Sequence, residues 1–264
     1  MTPVRLGTTL LVPFRVGALM PDLCVAGDPE VLRPVLPEGT PQERLGALCG
    51  AVAERIAAGG VGVAYVGDCV LTLGVLAGLE RRGVAPRVIW LDAHGDFHTW
   101  ETTRSGHLVG MPLAMAVGRG EQTIVRAAGL TPVAEERVLL VDARDLDPGE
   151  DDAVAASRMR RVTVDQLRRA PVPDGPLYVH LDIDVVNPVE IPAVNYPAPG
   201  GPSAEQVRDA LAHVAETGRV AALSVTLWEP RLPGASQSAA AVARLVEPFL
   251  ATSPPSPDAR RAPP

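Results

Sequence analysis

The sequence of 264 residues predicts an α/β fold with an open sheet at its centre. Short apolar runs at residues 61–66, 88–91 and 177–181 have the length and composition of strands that are buried on both faces. Between these runs lie segments whose apolar residues repeat at helical spacing. Because this alternation continues along the whole chain, we expect one domain over residues 1–250 rather than two small ones.

Boundary residues define the elements of the first half of the chain. Pro41 followed by Glu43 is a typical helix start, and helical spacing then continues until Gly59 and Gly60 end it. The predicted order is a strand at 4–13, a loop rich in proline and glycine to about residue 40, a helix at 41–58, a strand at 61–66, a helix at about 70–82 and a strand at 88–91.

The second half continues the alternation. Ser203 and Gln206 form a capping-box pair, which predicts a helix start at that point. In order, we predict a helix at about 109–117, a strand at 138–141, a short strand at 162–163, a helix at 164–169, a strand at 177–181, a helix to about 217, a strand at 220–227 and a helix at about 236–250. Residues 251–264, rich in proline, serine and arginine, are expected to form a disordered tail.

Composition excludes several classes of function. The formal net charge of -7 and the pI near 5.3 argue against nucleic acid and acidic membrane surfaces as partners. All 24 basic residues are arginine, which excludes a Schiff-base lysine and a P-loop lysine. No stretch reaches the ~20 uninterrupted apolar residues of a membrane span, and the first residues do not have the pattern of a signal peptide.

The three cysteines Cys24, Cys49 and Cys69 are odd in number and lack CxxC spacing. A disulfide framework is therefore not expected, and we predict a cytoplasmic location. Cys49 lies on a predicted helix and is interpreted as a core residue. Cys69 lies where a strand passes into a helix, a position where backbone amides favour a thiolate. A core cysteine is the alternative interpretation there.

A dense group of polar residues follows the strand at 88–91. Asp92, His94 and Asp96 alternate along the chain, and His98 continues the pattern. In an open α/β sheet, ligands bind at the carboxyl ends of the strands. Two carboxylates and an imidazole converging there need a positive charge between them, because an unpaired buried charge is costly. The pattern therefore predicts a divalent metal ion.

A second motif has the same design. Asp182 and Asp184 follow the strand at 177–181 and would lie on one face of it. Either motif alone could be a helix cap or a turn. Two such motifs in one chain favour a metal site. Carboxylate-rich ligation with one imidazole suits Mn²⁺, and carboxylates shared between the motifs suit two ions.

Other polar residues are weighed by their surroundings. The loop at 99–107 carries several hydroxyl groups and a histidine, which is typical of substrate contacts at the top of a sheet. A merely solvated loop is the alternative. His180 alternates with apolar strand residues and His213 lies on a helix, so both are interpreted as structural.

Together these motifs resemble the ureohydrolase family, which includes the arginases and agmatinases, over roughly residues 60–232. The sequences Asp-Ala-His-Gly-Asp at 92–96 and Asp-Ile-Asp at 182–184 look like the two metal motifs of that family. Gly-Asp-Cys at 67–69 looks like its Gly-Asp-His motif, with Cys69 in place of a metal-binding histidine. Asn187 stands where an aspartate is usual before the proline.

The resemblance implies a three-layer α/β/α domain with a central, mainly parallel sheet and a centre of two manganese ions. Two such ions supply a hydroxide nucleophile for the guanidino carbon at neutral pH. The implied metal ligands are Cys69, Asp92, His94, Asp96, Asp182 and Asp184. Asp96 would also accept the proton of the hydroxide.

The resemblance also assigns residues to the substrate. Glu229 would hold the guanidino group, and Ser105 falls where arginases contact the α-carboxylate. Asp147 and Glu150 fall where they contact the α-amino group. His98 stands where arginases commonly have an asparagine that contacts the carboxylate.

The proton shuttle differs from the family pattern. Arginases have a histidine at the position of Val109, and we expect His107, two residues away, to take that role. In the family branch that hydrolyses hydroxyarginine, a cysteine can also stand in place of this metal-binding histidine, as Cys69 does here.

Three functional hypotheses follow. The first is hydrolysis of Nω-hydroxy-L-arginine to L-ornithine and hydroxyurea, and the second is ordinary arginase or agmatinase activity. The third is a non-catalytic relative, which the retained cluster of carboxylates argues against. The expected partner is a small guanidino amino acid, with no nucleic acid and no membrane, and homo-oligomer formation is left open.

Overall fold

A computed structural model of the chain describes residues 7–226 and 228–250. Its centre is a sheet of eight strands that pair in parallel. The strands are β1 (Thr8–Val12), β4 (Glu30–Val31), β5 (Val61–Val66), β6 (Arg87–Asp92), β7 (Val138–Asp142), β8 (Arg160–Val162), β9 (Leu177–Leu181) and β10 (Val220–Thr226). Their order across the sheet is β4-β1-β5-β10-β9-β6-β7-β8.

A short antiparallel hairpin and eight α-helices complete the described part of the chain. The hairpin joins β2 (Phe14–Arg15) and β3 (Ala18–Leu19). The helices are α1 (Pro41–Ala57), α2 (Thr72–Arg81), α3 (Pro112–Ala116), α4 (Thr123–Ala128), α5 (Glu150–Ala155), α6 (Val164–Arg169), α7 (Ala204–Glu216) and α8 (Ala235–Val246). Among the residues that the structure describes, no helix has the length and apolar character needed to cross a membrane.

The helices cover both faces of the sheet. Val88 and Trp90 of β6 face the cluster of apolar side chains that includes α1 and α2. Ile89 and Leu91, the alternate residues, face the cluster that includes α7 and α8. Burying each of these side chains contributes about 1.5–3 kcal/mol, which explains the continuous apolar runs in the sequence. The predicted three-layer α/β/α arrangement with a parallel central sheet is confirmed.

Capping residues start the two long helices where the sequence predicts. Thr40 accepts a hydrogen bond from the backbone N–H of Glu43, whose side chain accepts one from the N–H of Thr40 in return. Ser203 and Gln206 make the same reciprocal pair at the start of α7. Removing such a cap typically costs about 1 kcal/mol.

Helices α1 and α2 can pack closely because α2 has a glycine where it meets α1. A Cβ atom on Gly78 would lie 2.5 Å from the Cβ of Ile56, so a larger residue would push the helices apart. Helix α2 continues directly from the 3₁₀ turn Cys69–Leu71, so this packing also helps to position Cys69.

Several predicted elements differ from the structure. The predicted loop after the first strand contains the β2–β3 hairpin and the edge strand β4. The predicted helix at 109–117 is a 3₁₀ turn at Leu108–Gly110 followed by α3, since Pro112 provides no N–H to continue the turn into the helix. Helices α4 and α5 were not predicted, because each has only six residues and neither begins with a side-chain cap, whereas the equally short α6 begins with the Thr163–Gln166 capping box.

Other differences are shifts of boundaries. Strand β8 begins at Arg160 and ends at Val162, two residues before the predicted start and one before the predicted end. Helix α8 ends at Val246 and gives way to a 3₁₀ turn at Glu247–Phe249. The predicted tail at 251–264, and the first residues of the predicted strand at 4–13, lie outside the described residues.

Candidate active site

A cavity of about 320 Å³ lies at the carboxyl ends of the central strands. Strands β5, β10, β9 and β6 are consecutive across the sheet, so the residues that follow them meet at one edge. Every site residue predicted from the sequence lines this cavity, with the exception of Glu229. Motifs that are far apart in the sequence therefore lie close together because their strands are neighbours in the sheet.

One group of donor atoms comprises Asp92, His94 and Asp184. The Nδ1 atom of His94 lies 3.0 Å from Asp184 Oδ2 and 3.4 Å from Asp92 Oδ1. Burial lowers the pKa of His94, but its hydrogen bonds to Asp184 and Asp92 outweigh burial and raise it to about 12. The two carboxylates therefore favour a positive charge at this position, and a metal ion bound to neutral His94 would supply that charge in place of a proton.

A second group comprises Cys69, Asp92, Asp96 and His180. One donor atom from each residue lies within 4.8 Å of the others. The thiol of Cys69 also donates a hydrogen bond to Asp182 Oδ2 at 2.9 Å. Asp92 belongs to both groups, so its carboxylate could be shared between two ions.

Hydrogen bonds from backbone N–H groups and from the side chain of Trp90 orient the carboxylates. Asp92 Oδ1 accepts from the N–H of His94 at 2.7 Å, and Asp92 Oδ2 accepts from Trp90 Nε1 at 3.2 Å. Asp182 Oδ1 accepts from the N–H of Asp184 at 2.9 Å. The aspartates therefore make the local hydrogen bonds of a cap or a turn, which was the alternative interpretation of each motif. They also line the cavity.

Asp96 has a strained backbone and an unpaired oxygen. Its φ of 50° lies in the left-handed region, which is uncommon for a residue other than glycine. Its Oδ2 atom is buried and has no hydrogen-bond partner among the described residues. Strain and an orphaned carboxylate oxygen are both typical of functional sites.

The electrostatics of the cluster fit bound cations. Burial raises the pKa of Asp96 well above its usual range, and the nearby carboxylates of Asp92 and Asp182 raise it further. Burial and the same two neighbours have the same effect on Asp184. Burial, followed by the charge of Asp182, also raises the pKa of the Cys69 thiol. Divalent ions would remove this repulsion, so the residues present fit a metal centre.

The residues expected to contact the α-amino group lie at the side of the cavity. Glu150 is buried, and its Oε1 accepts a hydrogen bond from the N–H of Phe97 at 2.9 Å. The Nε2 atom of His98 lies 3.5 Å from Asp147 Oδ2 and 3.6 Å from Glu150 Oε2. His98, Asp147 and Glu150 thus form one cluster.

Ser105 and His107 lie in the exposed loop at the mouth of the cavity. The Oγ atom of Ser105 accepts a hydrogen bond from the N–H of His107 at 3.2 Å. The Nδ1 atom of His107 lies 3.1 Å from the hydroxyl of Tyr196, another residue of the mouth. The loop at 99–107 therefore contributes to the cavity rather than being only solvated.

Glu229 follows β10 beside the cavity, where two arginines pair with its carboxylate. The Nε atom of Arg231 lies 2.9 Å from Glu229 Oε1, and Arg15 Nη1 lies 3.4 Å from Glu229 Oε2. The hydrogen bond from Arg231 lowers the pKa of Glu229, with a further contribution from the charge of Arg15. Arg15 itself lines the cavity.

Sequence reasoning missed Arg15, Asn195 and Tyr196, which all line the cavity. Arg15 comes from the β2–β3 hairpin, which Asp68 anchors by accepting a hydrogen bond from the N–H of Val16 at 2.5 Å. The Gly-Asp-Cys motif therefore positions this hairpin as well as Cys69. A rigid, proline-rich loop after the Asp-Ile-Asp motif was the available signal for Asn195 and Tyr196.

Comparisons with known proteins agree with this geometry. A family model described as the Arginase family matches residues 21–251. The arginase of Bacillus subtilis (strain 168) is 31% identical over 198 residues, which cover 70% of this chain and 67% of that protein. The N(omega)-hydroxy-L-arginine amidinohydrolase of Streptomyces lavendulae is 34% identical over 171 residues, which cover 63% of this chain and 60% of that protein.

Solved structures support the fold. A crystal structure of arginase from Bacillus subtilis superposes with a TM-score of 0.77 at 24% identity, covering 93% of this chain and 99% of that one. Arginase from Entamoeba histolytica, in complex with L-ornithine, superposes with a TM-score of 0.78 at 19% identity, covering 94% and 99%. With the family model spanning most of its length, the chain belongs to the arginase family of hydrolases, which act on carbon–nitrogen bonds other than peptide bonds.

Proposed function

We propose that this hydrolase converts Nω-hydroxy-L-arginine to L-ornithine and hydroxyurea with two Mn²⁺ ions. The observation that carries the substrate is the pairing of Glu229 with Arg15 and Arg231. The carboxylate expected to hold a cationic guanidino group already has two guanidinium partners. An N-hydroxyguanidine is less basic than a guanidine, so it can bind as a neutral group and meet less repulsion from Arg15.

The relatives support this substrate and one alternative. The similar protein of Streptomyces lavendulae is named for hydrolysis of Nω-hydroxy-L-arginine. Relatives such as those of Bacillus subtilis and Brucella melitensis are named arginase. Arginine is therefore the second candidate substrate, and the charge around Glu229 is the reason to place it second.

The donor set supports manganese. Asp92, His94 and Asp184 would hold one ion, and Cys69 and Asp96, with Asp92 shared, would hold the other. Asp182, which accepts a hydrogen bond from the Cys69 thiol, would serve the second position. Carboxylate and imidazole ligands suit Mn²⁺, and only the thiolate is a softer donor. When bound, the pair of ions supplies a hydroxide nucleophile at neutral pH.

The chain's own residues handle the protons. One water molecule is consumed, its oxygen bonds to the guanidino carbon, and the bond from that carbon to the ornithine nitrogen breaks. The Oδ2 atom of Asp96, which is buried and unpaired among the described residues, accepts a proton from the water. His107, held at the mouth by Tyr196, delivers a proton to the leaving amine.

The amino acid head of the substrate binds toward the mouth. Asp147 and Glu150 attract the α-ammonium group, and Ser105 donates to the α-carboxylate. His98, which bridges toward Asp147 and Glu150, orients this cluster. A carboxylate contact favours an amino acid over agmatine, which lacks that group.

Steady-state kinetics on Nω-hydroxy-L-arginine, L-arginine and agmatine test the proposal. We expect kcat/KM to be highest for Nω-hydroxy-L-arginine, with product analysis showing ornithine and hydroxyurea in equal amounts. A tenfold preference needs only about 1.4 kcal/mol of differential transition-state binding. A higher kcat/KM for arginine or agmatine would reject the substrate and retain the family assignment.

Substitution of Arg15 tests the charge argument directly. Arg15→Gln removes one guanidinium from Glu229, so the preference for Nω-hydroxy-L-arginine over arginine should fall about tenfold, or about 1.4 kcal/mol. Arg33→Gln, at an exposed position, is the matched control and should leave the ratio unchanged. An unchanged ratio in Arg15→Gln would remove the electrostatic basis of the proposal.

A further inference from the structure

His180 has a buried ring nitrogen that the proposed reaction does not use. The side chain lies in the middle of the sheet on β9 and is fully buried, with a relative exposure of 0%. Its Nδ1 atom lies 2.9 Å from the Oγ atom of Ser224 on β10. Its Nε2 atom is buried and has no hydrogen-bond partner among the described residues. Leaving such an atom unsatisfied is unfavourable, so a partner for it is expected.

The surroundings of His180 contain ligand atoms rather than apolar groups alone. A ring nitrogen of His180 lies within 4.8 Å of donor atoms of Cys69, Asp92 and Asp96. Because Nδ1 is occupied by Ser224, Nε2 is the nitrogen available to this group. The ring also lies against Trp90, with centroids 4.1 Å apart, so its orientation is held by packing.

The contact with Ser224 also bears on the tautomer of the ring. When Nδ1 donates its proton to Ser224, Nε2 carries a lone pair and no proton, which is the form of a histidine nitrogen that binds a metal ion.

We propose that His180 is a metal ligand through Nε2 and completes, with Cys69, Asp92 and Asp96, the site of one of the two ions. The inference rests on the metal centre proposed above. Ser224 would then act as the outer partner that fixes a ligating histidine, the usual arrangement for such residues. The chain would thus supply from β9 the imidazole that the Cys69 position lacks, and His180 would not be only a structural residue.

Metal titration of His180→Asn is the first test. The asparagine amide can still donate to Ser224 but cannot replace Nε2. We expect the two-ion stoichiometry to be kept only at higher Mn²⁺, with affinity for one ion weaker by about 100-fold, since changes to outer partners alone cost about 10–100-fold. His213→Asn, on α7, should bind both ions as the unchanged protein does. Equal affinities in the two variants would reject the inference.

Restoration of the ligand provides a stronger version of this test. In the double variant Cys69→His with His180→Asn, an imidazole returns to the same ion from the turn that follows β5. We expect Cys69→His to raise Mn²⁺ affinity about tenfold more in the His180→Asn background than in the unchanged protein, with the thermal midpoint followed in parallel. If His180 were needed only for packing, the gain would be the same in both backgrounds, so equal gains in folded variants count against the proposal.

Pulsed EPR on bound Mn²⁺ gives a test that does not depend on the folding of His180→Asn. In His94→Asn, nitrogen coupling to Mn²⁺ should persist, because His180 still provides an imidazole. Loss of all histidine coupling in His94→Asn would overturn the inference. A protein that binds both ions as expected but hydrolyses no guanidino compound would refute the proposed function and leave His180 as a ligand.

Discussion

The two ends of the cavity are built in different ways. At the deep end, Asp92 is the last residue of β6 and Asp96 lies in the loop that follows it, and they are 1% and 5% exposed. At the mouth, Ser105, His107 and Tyr196 come from loops, and Tyr196 is 48% exposed. The deep end is therefore positioned by strand pairing, whereas the mouth is positioned by a few side-chain contacts such as that between His107 and Tyr196.

Because they are built differently, the two ends of the cavity suit different roles, metal binding at the deep end and substrate binding at the mouth. Donor atoms on paired strands have little freedom, which suits a metal centre whose ligands must converge within a narrow range of distances. Loop residues can change without disturbing the sheet, which suits binding of the amino acid head of the substrate. We therefore expect substitutions of the metal ligands at the deep end to affect metal binding and kcat, and substitution of Ser105 at the mouth to affect KM. His107, the proposed proton donor, is the residue of the mouth whose substitution should lower kcat.

The largest effect is expected for Asp182→Ala at the deep end. It removes a carboxylate that contacts Cys69 Sγ and caps the N–H of Asp184. We expect bound manganese to fall and kcat/KM to fall by about 1000-fold, or about 4 kcal/mol. Asp174→Ala, at a fully exposed carboxylate, is the control and should match the unchanged protein in both measurements. Normal metal content in Asp182→Ala would contradict the assignment of that end.

Removal of metal should cost activity and stability together. At an ion concentration of 100 times Kd, binding stabilises the fold by about 2.7 kcal/mol, so chelation should lower the thermal midpoint by about 5–10 °C. Calorimetry of the chelated and reloaded protein measures this difference. Full activity in a thoroughly chelated sample would be incompatible with a metal centre.

The stability gained from metal should also depend on pH. In the metal-free protein the pKa values of Asp96 and Asp184 are raised, so the stability they contribute is present below the usual value of 3.8 and is lost as pH rises through the folded-state values. Metal binding requires the deprotonated groups. The gap in thermal midpoint between loaded and chelated protein should therefore widen as pH rises from about 5 to about 8. A constant gap would show that these carboxylates do not bind the ions.

Alkylation compares a deep thiol with a surface one. Cys69 is buried in the metal cluster and Cys24 is exposed, so only Cys69 should respond to metal. We expect iodoacetamide to modify Cys69 at least about tenfold more slowly in the loaded protein than after chelation, because a bound thiolate is unavailable. Peptide mass analysis reports both sites in one sample. Equal protection of Cys24 and Cys69 would indicate a general change in the fold instead.

The smallest effect is expected at the mouth. Ser105→Ala removes a hydroxyl proposed to donate to the α-carboxylate, so KM for the amino acid substrate should rise about fivefold, or about 1 kcal/mol, with kcat within twofold. Thr103→Val changes a neighbouring hydroxyl of the same loop and serves as the control. A fall in kcat with unchanged KM in Ser105→Ala would place this residue with the chemistry and weaken the separation between the two ends.

Local sequence determined the fold class and the deep end of the site. Buried parallel strands require continuous apolar runs, and ligands follow the carboxyl ends of such strands, so both signals lie within a few consecutive residues. Asp92, His94 and Asp96, and likewise Asp182 and Asp184, could therefore be predicted and do line one cavity. The resemblance of these motifs to the ureohydrolases then supplied the family, which is confirmed.

Only the tertiary structure decided which distant residues meet. Arg15 and Glu229 are separated by 214 positions, and their contact depends on a two-residue strand that no hydrophobic pattern reveals. His180 looks like any buried strand residue in the sequence, and its free Nε2 atom is apparent only once Ser224, on the neighbouring strand, has occupied Nδ1. Pairings of this kind are set by strand order and register, which arise from packing of the whole chain rather than from any one segment.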